Sequence, residues 1–272
     1  MTPQTPSLAD APRDPVRLDE PNAALLRRYL RAVLGDQVTG DRLAAALWPG
    51  VAASVPSGDH ADAADVLLGA MRRWRRLHGA GERAASFSHG AIAQAVDPAD
   101  APARKVGILV DVFSLSVAQA ARALDRSEGE VTMLLAEARR EAAAPIGGDV
   151  LVVEDEALVG QHLARLARDA GADTVTLVRG AAEAFEAAAQ TPPRIVLCDY
   201  DLGDGPDGTV VIRRMMAEHD SVCLFVTAYP ARASSGTDGE PAFIISKPFS
   251  EAVVRAALAY AGTADRPAFL AA

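Results

Sequence analysis

From Asp149 onward, short apolar runs rich in β-branched residues stand at 150–153, 174–178, 195–198, 222–226 and 243–245. Stretches of helical pattern lie between or after them, at 158–170, 181–189, 210–218 and 252–261. Runs that are apolar at every position read as strands buried on both faces. Strands alternating with helices form a parallel sheet covered by helices on its two sides. The same pattern says where chemistry belongs, because such sheets take ligands at the carboxyl ends of their strands.

Polar residues stand at those ends. Glu154 and Asp155 follow the first run, Asp199 ends the third in VLCDYDL, Thr227 ends the fourth in LFVTAYP, and Lys247 ends the fifth in FIISKPF. Three carboxylates converging on one sheet edge repel one another unless a divalent cation lies among them. A few hard oxygen donors suit Mg2+, which keeps part of its water shell. An ammonium and a hydroxyl opposite the cation suit an incoming phosphoryl group, whose charge spreads over three oxygens. Any one of these residues alone reads as ordinary rim polarity; the five in order point to phosphate chemistry. Asp201, Asp204 and Asp207 read as a solvated acidic loop turned by Gly203, Gly205 and Gly208.

With these residues in place, 149–262 resembles a response-regulator receiver domain, the flavodoxin-like (βα)5 fold with a five-stranded parallel sheet. The resemblance implies that Asp199 is the phosphoacceptor for a histidine kinase or phosphotransfer protein. It implies that Glu154, Asp155, Asp199 and the main-chain carbonyl of Asp201 hold Mg2+. Thr227 and Lys247 are implied as contacts to the phosphoryl oxygens. One departure concerns the aromatic switch residue that receivers commonly carry three positions before the lysine, where this chain has Ile244. The stretch FVTAYP resembles a receiver subgroup and offers Tyr229 as the moving aromatic, against the plainer reading of a loop anchor. Segment 231–241, ARASSGTDGEP, occupies the place of the fourth receiver helix, and its glycines, serines and proline form helix poorly.

The first half follows a helical period. Residues 1–21, Pro-rich and acidic, are expected to form a disordered tail, with a second tail at 263–272. Leu26, Leu30 and Val33 mark a first helix. A second spans 41–48 and is expected to stop at Pro49-Gly50. A third spans 59–77, with Val66, Ala70, Trp74 and Leu77 on one face, Asp59 and Asp62 in its first turn, and Arg72, Arg73, Arg75 and Arg76 in its last. Acids first and bases last complement a helix dipole, which competes with reading the arginines as a patch for a partner. Residues 79–100 read as a linker. Helices then follow at 101–112, 116–124 and 128–142, the last two joined by Asp125-Arg126-Ser127 at the spacing of a helix-turn-helix. Pro145-Ile146-Gly147-Gly148 marks the boundary.

Seventeen basic and eighteen acidic residues precede the cut at Gly148, and ten basic and eighteen acidic follow it, so neither half is a basic body. Within the last helix Val131, Leu134, Leu135 and Ala138 form the buried stripe, and Glu130, Glu137 and Glu141 fall on its flank. Carboxylates facing phosphates oppose nucleic-acid binding.

LLRRYLRAVLGDQVTGD from Leu25 and the segment 113–141 resemble regions two and four of a small sigma factor. The first half thus reads as a sigma-factor-like all-α domain over 22–146, region-two-like at 22–78 and region-four-like at 101–145. Joined to FVTAYP and PAFIISKPF, these segments make the chain resemble the PhyR family of general-stress regulators. That resemblance implies a phosphorylation-activated anti-anti-sigma factor. Phosphorylation would release the sigma-like domain from an intramolecular interface with the receiver. The freed domain would sequester an anti-sigma factor of NepR type and so liberate the sigma factor for general stress transcription. It implies no direct DNA binding and no catalysis beyond the chain's own phosphoryl transfer, hence no enzyme. The alternative is a DNA-binding response regulator acting through the helix-turn-helix at 113–142. A weaker one is a receiver that only drains phosphate from a kinase.

No apolar run approaches the ~20 residues of a membrane span, and the N-terminus lacks a basic-then-apolar signal pattern. Cys198 and Cys223 are too few for a disulfide framework and read as strand core. A cytoplasmic protein without membrane contact is expected. The histidines, at 60, 78, 89, 162 and 219, show no metal-ligand spacing.

Overall fold

The computed structural model describes residues 21–34, 37–53, 62–79, 101–203, 206–219, 221–233 and 240–263. Apart from Pro21, which opens the first helix, and Thr263, whose hydroxyl accepts from Arg104 at 2.7 Å, the expected tails lie outside the described residues, as do almost all of the 79–100 linker, Asp59 and most of segment 231–241. The helical half comprises α1 (Pro21–Leu34), α2 (Gln37–Ala52), α3 (Ala63–Gly79), α4 (Pro102–Gly107), α5 (Val117–Leu124) and α6 (Glu128–Glu141). A π-helical turn, Ile108–Val112, continues α4 directly.

Two helix limits differ from the sequence reading. The second helix does not stop at Pro49 but carries it inside α2 and runs on to Ala52. Proline removes one intrahelical hydrogen bond and costs ~3 kcal/mol in a helix interior. Leu47, Trp48 and Val51 are all buried, and their packing outweighs that loss. The third helix begins after Asp62, whose carboxylate instead accepts from the Ala64 N–H at 3.0 Å. The Asp62 carboxylate also accepts from Gln119 and Arg122 of α5. The Ala64 hydrogen bond and then these partners hold its pKa below the usual carboxylate range, so this cap ties α3 to the helix-turn-helix. The arginine cluster divides too. Arg72 is exposed, whereas Arg73 lies half-buried against Gly50 of α2.

The helix-turn-helix is set by local signals. Ser116 and Ser127 cap α5 and α6, each exchanging hydrogen bonds with a residue three positions on, Gln119 and Glu130. Asp125 closes α5 in the left-handed region, φ 56°, which Asp tolerates better than most residues. Glu130 is therefore spent on its cap, and its partner Ser127 lowers its pKa. The row of three glutamates reduces to Glu137 and Glu141 on the exposed side of α6.

The second half is a five-stranded parallel sheet: β1 (Asp149–Val153), β2 (Thr174–Val178), β3 (Ile195–Cys198), β4 (Val222–Thr227) and β5 (Phe243–Ser246), in the order β2-β1-β3-β4-β5. Between and after the strands lie α7 (Ala157–Asp169), α8 (Ala181–Gln190), α9 (Gly208–Glu218), the short α10 (Pro230–Ala233) and α11 (Glu251–Gly262). Period-2 alternation sends Val150, Val152, Leu197, Val226 and Ile245 to one face with α7 and α11. Leu151, Val153, Val196, Cys198 and Phe225 pack on the other with α8 and α9. Both cysteines are buried in the sheet, and burial pushes their thiols up out of reach of ionisation.

The first of these faces does not end at the sheet, because its core continues into the helical half. α1 is buried on nearly every side. Its Arg27 and Arg31, 2% and 0% exposed, meet Glu240, itself 1% exposed in the segment before β5. Arg27 pairs with the Glu240 carboxylate at 2.8 Å. Arg31 approaches it at 3.3 Å, donates to the Glu240 carbonyl at 3.0 Å, and grips Asp41 of α2 with two hydrogen bonds of 2.6 Å. A second clasp joins α4 and the π-turn to α11. The Tyr260 hydroxyl donates to Asp111 at 3.4 Å, and Asp111 pairs with Arg139 of α6 at 2.7 Å.

Gly107 makes this second clasp possible, since a Cβ there would overlap the Tyr260 hydroxyl and crowd Ala138. In a free helix Gly→Ala stabilises by roughly 0.5–1 kcal/mol. Here the sign reverses: Gly107→Ala will lower the melting temperature. It will also speed amide hydrogen exchange in α11 at least tenfold, corresponding to ~1.4 kcal/mol. A higher melting temperature with unchanged exchange would show the clasp to be slack.

Candidate functional site

The sheet register places the strand ends at one edge. Val153 lies beside Cys198, Cys198 beside Phe225, and Thr227 beside Ser246, so the residues just after them share that edge. Main-chain hydrogen bonds extend the ladder past the strands: Asp199 N–H donates to the Val153 carbonyl at 2.9 Å and Lys247 N–H to the Thr227 carbonyl at 2.8 Å. The side chains that follow are fixed by backbone before any of them interacts.

Glu154, Asp155 and Asp199 bring carboxylate oxygens within 4.8 Å of one another. Among the described residues they are the one group of three acidic, imidazole or thiol side chains close enough to share a cation. The Lys247 ammonium reaches in from β5, 2.6 Å from Asp199 and 2.9 Å from Glu154. Asp199 is 6% exposed and Glu154 1%. Burial raises the Glu154 carboxyl to about 7, against the lowering exerted by Lys247. At Lys247 burial pulls down and the two carboxylates pull up, and the carboxylates prevail.

The donors fit a hard divalent cation. Glu154 Oε2 is buried without a properly directed hydrogen bond, although Lys247 lies close, and two further carboxylates converge on the same place. Thr227 is fully buried at the end of β4, and its hydroxyl accepts from the Tyr229 N–H at 3.0 Å. Asp201 reaches the cluster through its N–H, which donates to Asp199 at 3.3 Å, while its own carboxylate accepts from Gly203. Tyr229 is 44% exposed, with the Arg232 guanidinium 5.0 Å over its ring.

Three neighbours escaped the sequence reading. Glu156 stands 3.5 Å from Lys247 as an exposed third carboxylate. Arg179, after β2, donates to the Asp155 carbonyl at 2.9 Å. Gly208, at the start of α9, packs on the Asp199 carbonyl so closely that a Cβ would overlap it. Only the close approach of Gly208 had a sequence signal, as a glycine opening a helix near a strand end. Of the histidines, His162 is described as a surface partner of Glu251, at 2.9 Å.

Comparison with known proteins places this geometry. Residues 150–259 match the model of the response regulator receiver domain. Over 240 residues the chain is 32% identical to the phyllosphere-induced regulator PhyR of Methylorubrum extorquens, covering 87% of this chain and 90% of that one. The chain belongs to the PhyR family. A solved structure of the PhyR stress response regulator superposes with a TM-score of 0.70 at 28% identity, over 97% of this chain and 100% of that one. The anti-anti-sigma factor PhyR of Bartonella quintana has the same fold, with a TM-score of 0.70 at 24% identity over 89% of this chain and 92% of that one. The PhyR fold is thus a helical first half followed by a receiver with a five-stranded parallel sheet. Among the described residues no helix is long and apolar enough to cross a membrane.

Proposed function

We propose that this chain is a phosphorylation-activated anti-anti-sigma factor whose phosphoacceptor is Asp199. The donor is a phosphohistidine on a histidine kinase or phosphotransfer protein. A carboxylate oxygen of Asp199 attacks phosphorus, the P–N bond to the imidazole breaks, and an acyl phosphate forms. Glu154, Asp155, Asp199 and the main-chain carbonyl of Asp201 would hold Mg2+. When bound, the ion offsets the negative charge of the phosphoryl group. Lys247 and Thr227 contact phosphoryl oxygens.

The observation that carries this reading is the position of β5. One end of the strand leads into Lys247, 2.6 Å from Asp199. Its other end is preceded by Glu240, which holds Arg27 and Arg31 of α1. Phosphorylation turns the Asp199 partner of Lys247 into a bulkier, more negative group. Any rearrangement of β5 that follows acts on the buried clasp of the sigma-like half. Such a switch moves only by the differential free energy of its two states. A change from 1:99 to 99:1 docked asks for ~5.5 kcal/mol. Phosphate and anti-sigma partner together supply it, and by linkage the partner then promotes phosphorylation.

The name of the Bartonella relative supports the partner class. The outer side of α6 agrees with it, presenting exposed Met133, Glu137 and Glu141. An apolar and acidic surface suits a basic amphipathic segment of an anti-sigma factor of NepR type and opposes DNA phosphates. The test is binding of a purified anti-sigma protein to the full chain with and without acetyl phosphate and Mg2+. Affinity is expected to rise at least tenfold with the donor. Equal affinity in both states would refute the switch, and donor-stimulated binding of promoter DNA in its place would support the direct regulator.

A further inference from the structure

Of the three carboxylates that converge on the cation site, two are held by their surroundings. Glu154 and Asp199 are buried, and both pair with Lys247. Asp155 is only half-buried. Its one hydrogen bond among the described residues is the bond its carbonyl accepts from the Arg179 guanidinium at 2.9 Å.

The turn that carries Asp155 is tied to the end of β2 at two successive residues. Glu154 N–H donates to the Val178 carbonyl at 3.0 Å, and Arg179 then reaches across to the Asp155 carbonyl. Arg179 is itself anchored, because its main-chain N–H donates to the Glu183 carboxylate in the first turn of α8 at 2.8 Å. Its guanidinium thus starts from a fixed backbone and ends on the least supported of the three acidic residues. Arg179 is exposed, and its side-chain partner is a carbonyl, so neither burial nor an ion pair explains its placement.

Mg2+ demands near-ideal geometry at short distance, so a ligand that swings costs affinity. Partners that orient the ligands of a metal site are worth about 10- to 100-fold in affinity. Arg179 brings two opposed effects to such a site: its charge repels a cation, and its hydrogen bond fixes a ligand residue. Water and salt screen the repulsion at an exposed guanidinium, whereas they leave the orientation of Asp155 unchanged. Given Asp155 as a Mg2+ ligand, the reading proposed for this site, we propose that Arg179 is a positioning residue that sets the cation affinity by holding the turn of Asp155.

The test is calorimetric titration of the full, unphosphorylated chain with MgCl2, as wild type and as Arg179→Met. Removing a repelling charge alone would tighten Mg2+, so the sign of the change separates the two effects. Kd is expected to rise about tenfold in Arg179→Met, the lower end of the range because the contact is to the backbone of the ligand residue. Arg179→Lys keeps the charge without the planar fork and is expected to weaken Mg2+ about threefold. Phosphorylation by acetyl phosphate supplies a second readout. The Mg2+ concentration at half-maximal rate rises by the same factor as Kd, and the rate at saturating Mg2+ stays within about twofold of wild type. Unchanged or tighter Mg2+ binding in folded Arg179→Met overturns the proposal, and so does a loss seen only in the saturating rate. If Arg179→Met is unfolded by circular dichroism, Arg179→Lys decides by the same criteria. Saturable Mg2+ binding in the wild type beside an unaffected variant refutes the role of Arg179 and leaves the phosphorylation site standing. A wild type without saturable Mg2+ binding refutes the cation site, and this role with it.

Discussion

An Asp199→Asn protein will take up phosphoryl groups from acetyl phosphate at less than about one-thousandth of the wild-type rate, the order of loss that follows removal of a nucleophile. The amide has nearly the volume of the carboxylate, so β3 and its packing stay intact. What disappears is the negatively charged oxygen 2.6 Å from Lys247. The ammonium then keeps Glu154 at 2.9 Å as its main partner, which holds the site together without a nucleophile. Phosphate-affinity gels read uptake directly, and circular dichroism checks the fold. A variant that is still modified at the wild-type rate would place the acceptor elsewhere. Loss of uptake should be accompanied by loss of all donor-stimulated binding of the anti-sigma protein, because no other residue is assigned the trigger.

The second large effect concerns the clasp. Glu240→Ala removes the carboxylate that meets Arg27 and Arg31, both buried, with Asp41 left to serve Arg31 alone. Taking one partner from a buried ion pair leaves the other charge poorly compensated and costs ~3–5 kcal/mol. Undocking returns Arg27 to water, so the cost falls on the docked state. Each 1.4 kcal/mol is tenfold, so the docking equilibrium should move roughly 10²- to 4 × 10³-fold toward the open form. The Glu240→Ala chain is therefore expected to bind the anti-sigma protein without a phosphoryl donor, nearly as tightly as the wild type with one. Retention of full donor dependence would mean that the clasp does not hold the seam. Glu240→Gln keeps the shape and one acceptor, and an intermediate shift is expected.

The receiver half was legible because its strands are buried on both faces and its sheet puts functional residues at one edge. The strand positions inferred from β-branched runs agree with the structure to within one residue at either end. The helix-turn-helix was legible for a different reason, since serine caps and a left-handed Asp125 are encoded within a few residues. Convergence of Glu154, Asp155, Asp199 and Lys247 followed from topology. The seam was expected from the family resemblance, but the residues that hold it were not legible. Arg27 and Arg31 stand one helical turn apart, which in sequence reads as a solvated face, and their partner Glu240 lies more than two hundred residues on. Gly107 reads as a weak helix position until Tyr260 is seen to fill the space of its missing Cβ. Pro49 reads as a stop because the packing of Val51 that carries α2 past it is tertiary. Glu130 reads as surface charge, although SEGE is also a capping box, a local signal that competes with the helical wheel.

The account turns on one event, the parting of the seam when Asp199 is phosphorylated. The most direct test is a pulsed dipolar distance between spin labels at Arg42→Cys on α2 and Arg168→Cys on α7, both exposed positions, with the native cysteines buried. Without a donor the account predicts one narrow distance distribution. With acetyl phosphate, Mg2+ and the anti-sigma protein it predicts a longer and broader one, and none of this change in the Asp199→Asn background. An unchanged narrow distance in protein shown by gel to be fully phosphorylated and partner-bound would contradict it.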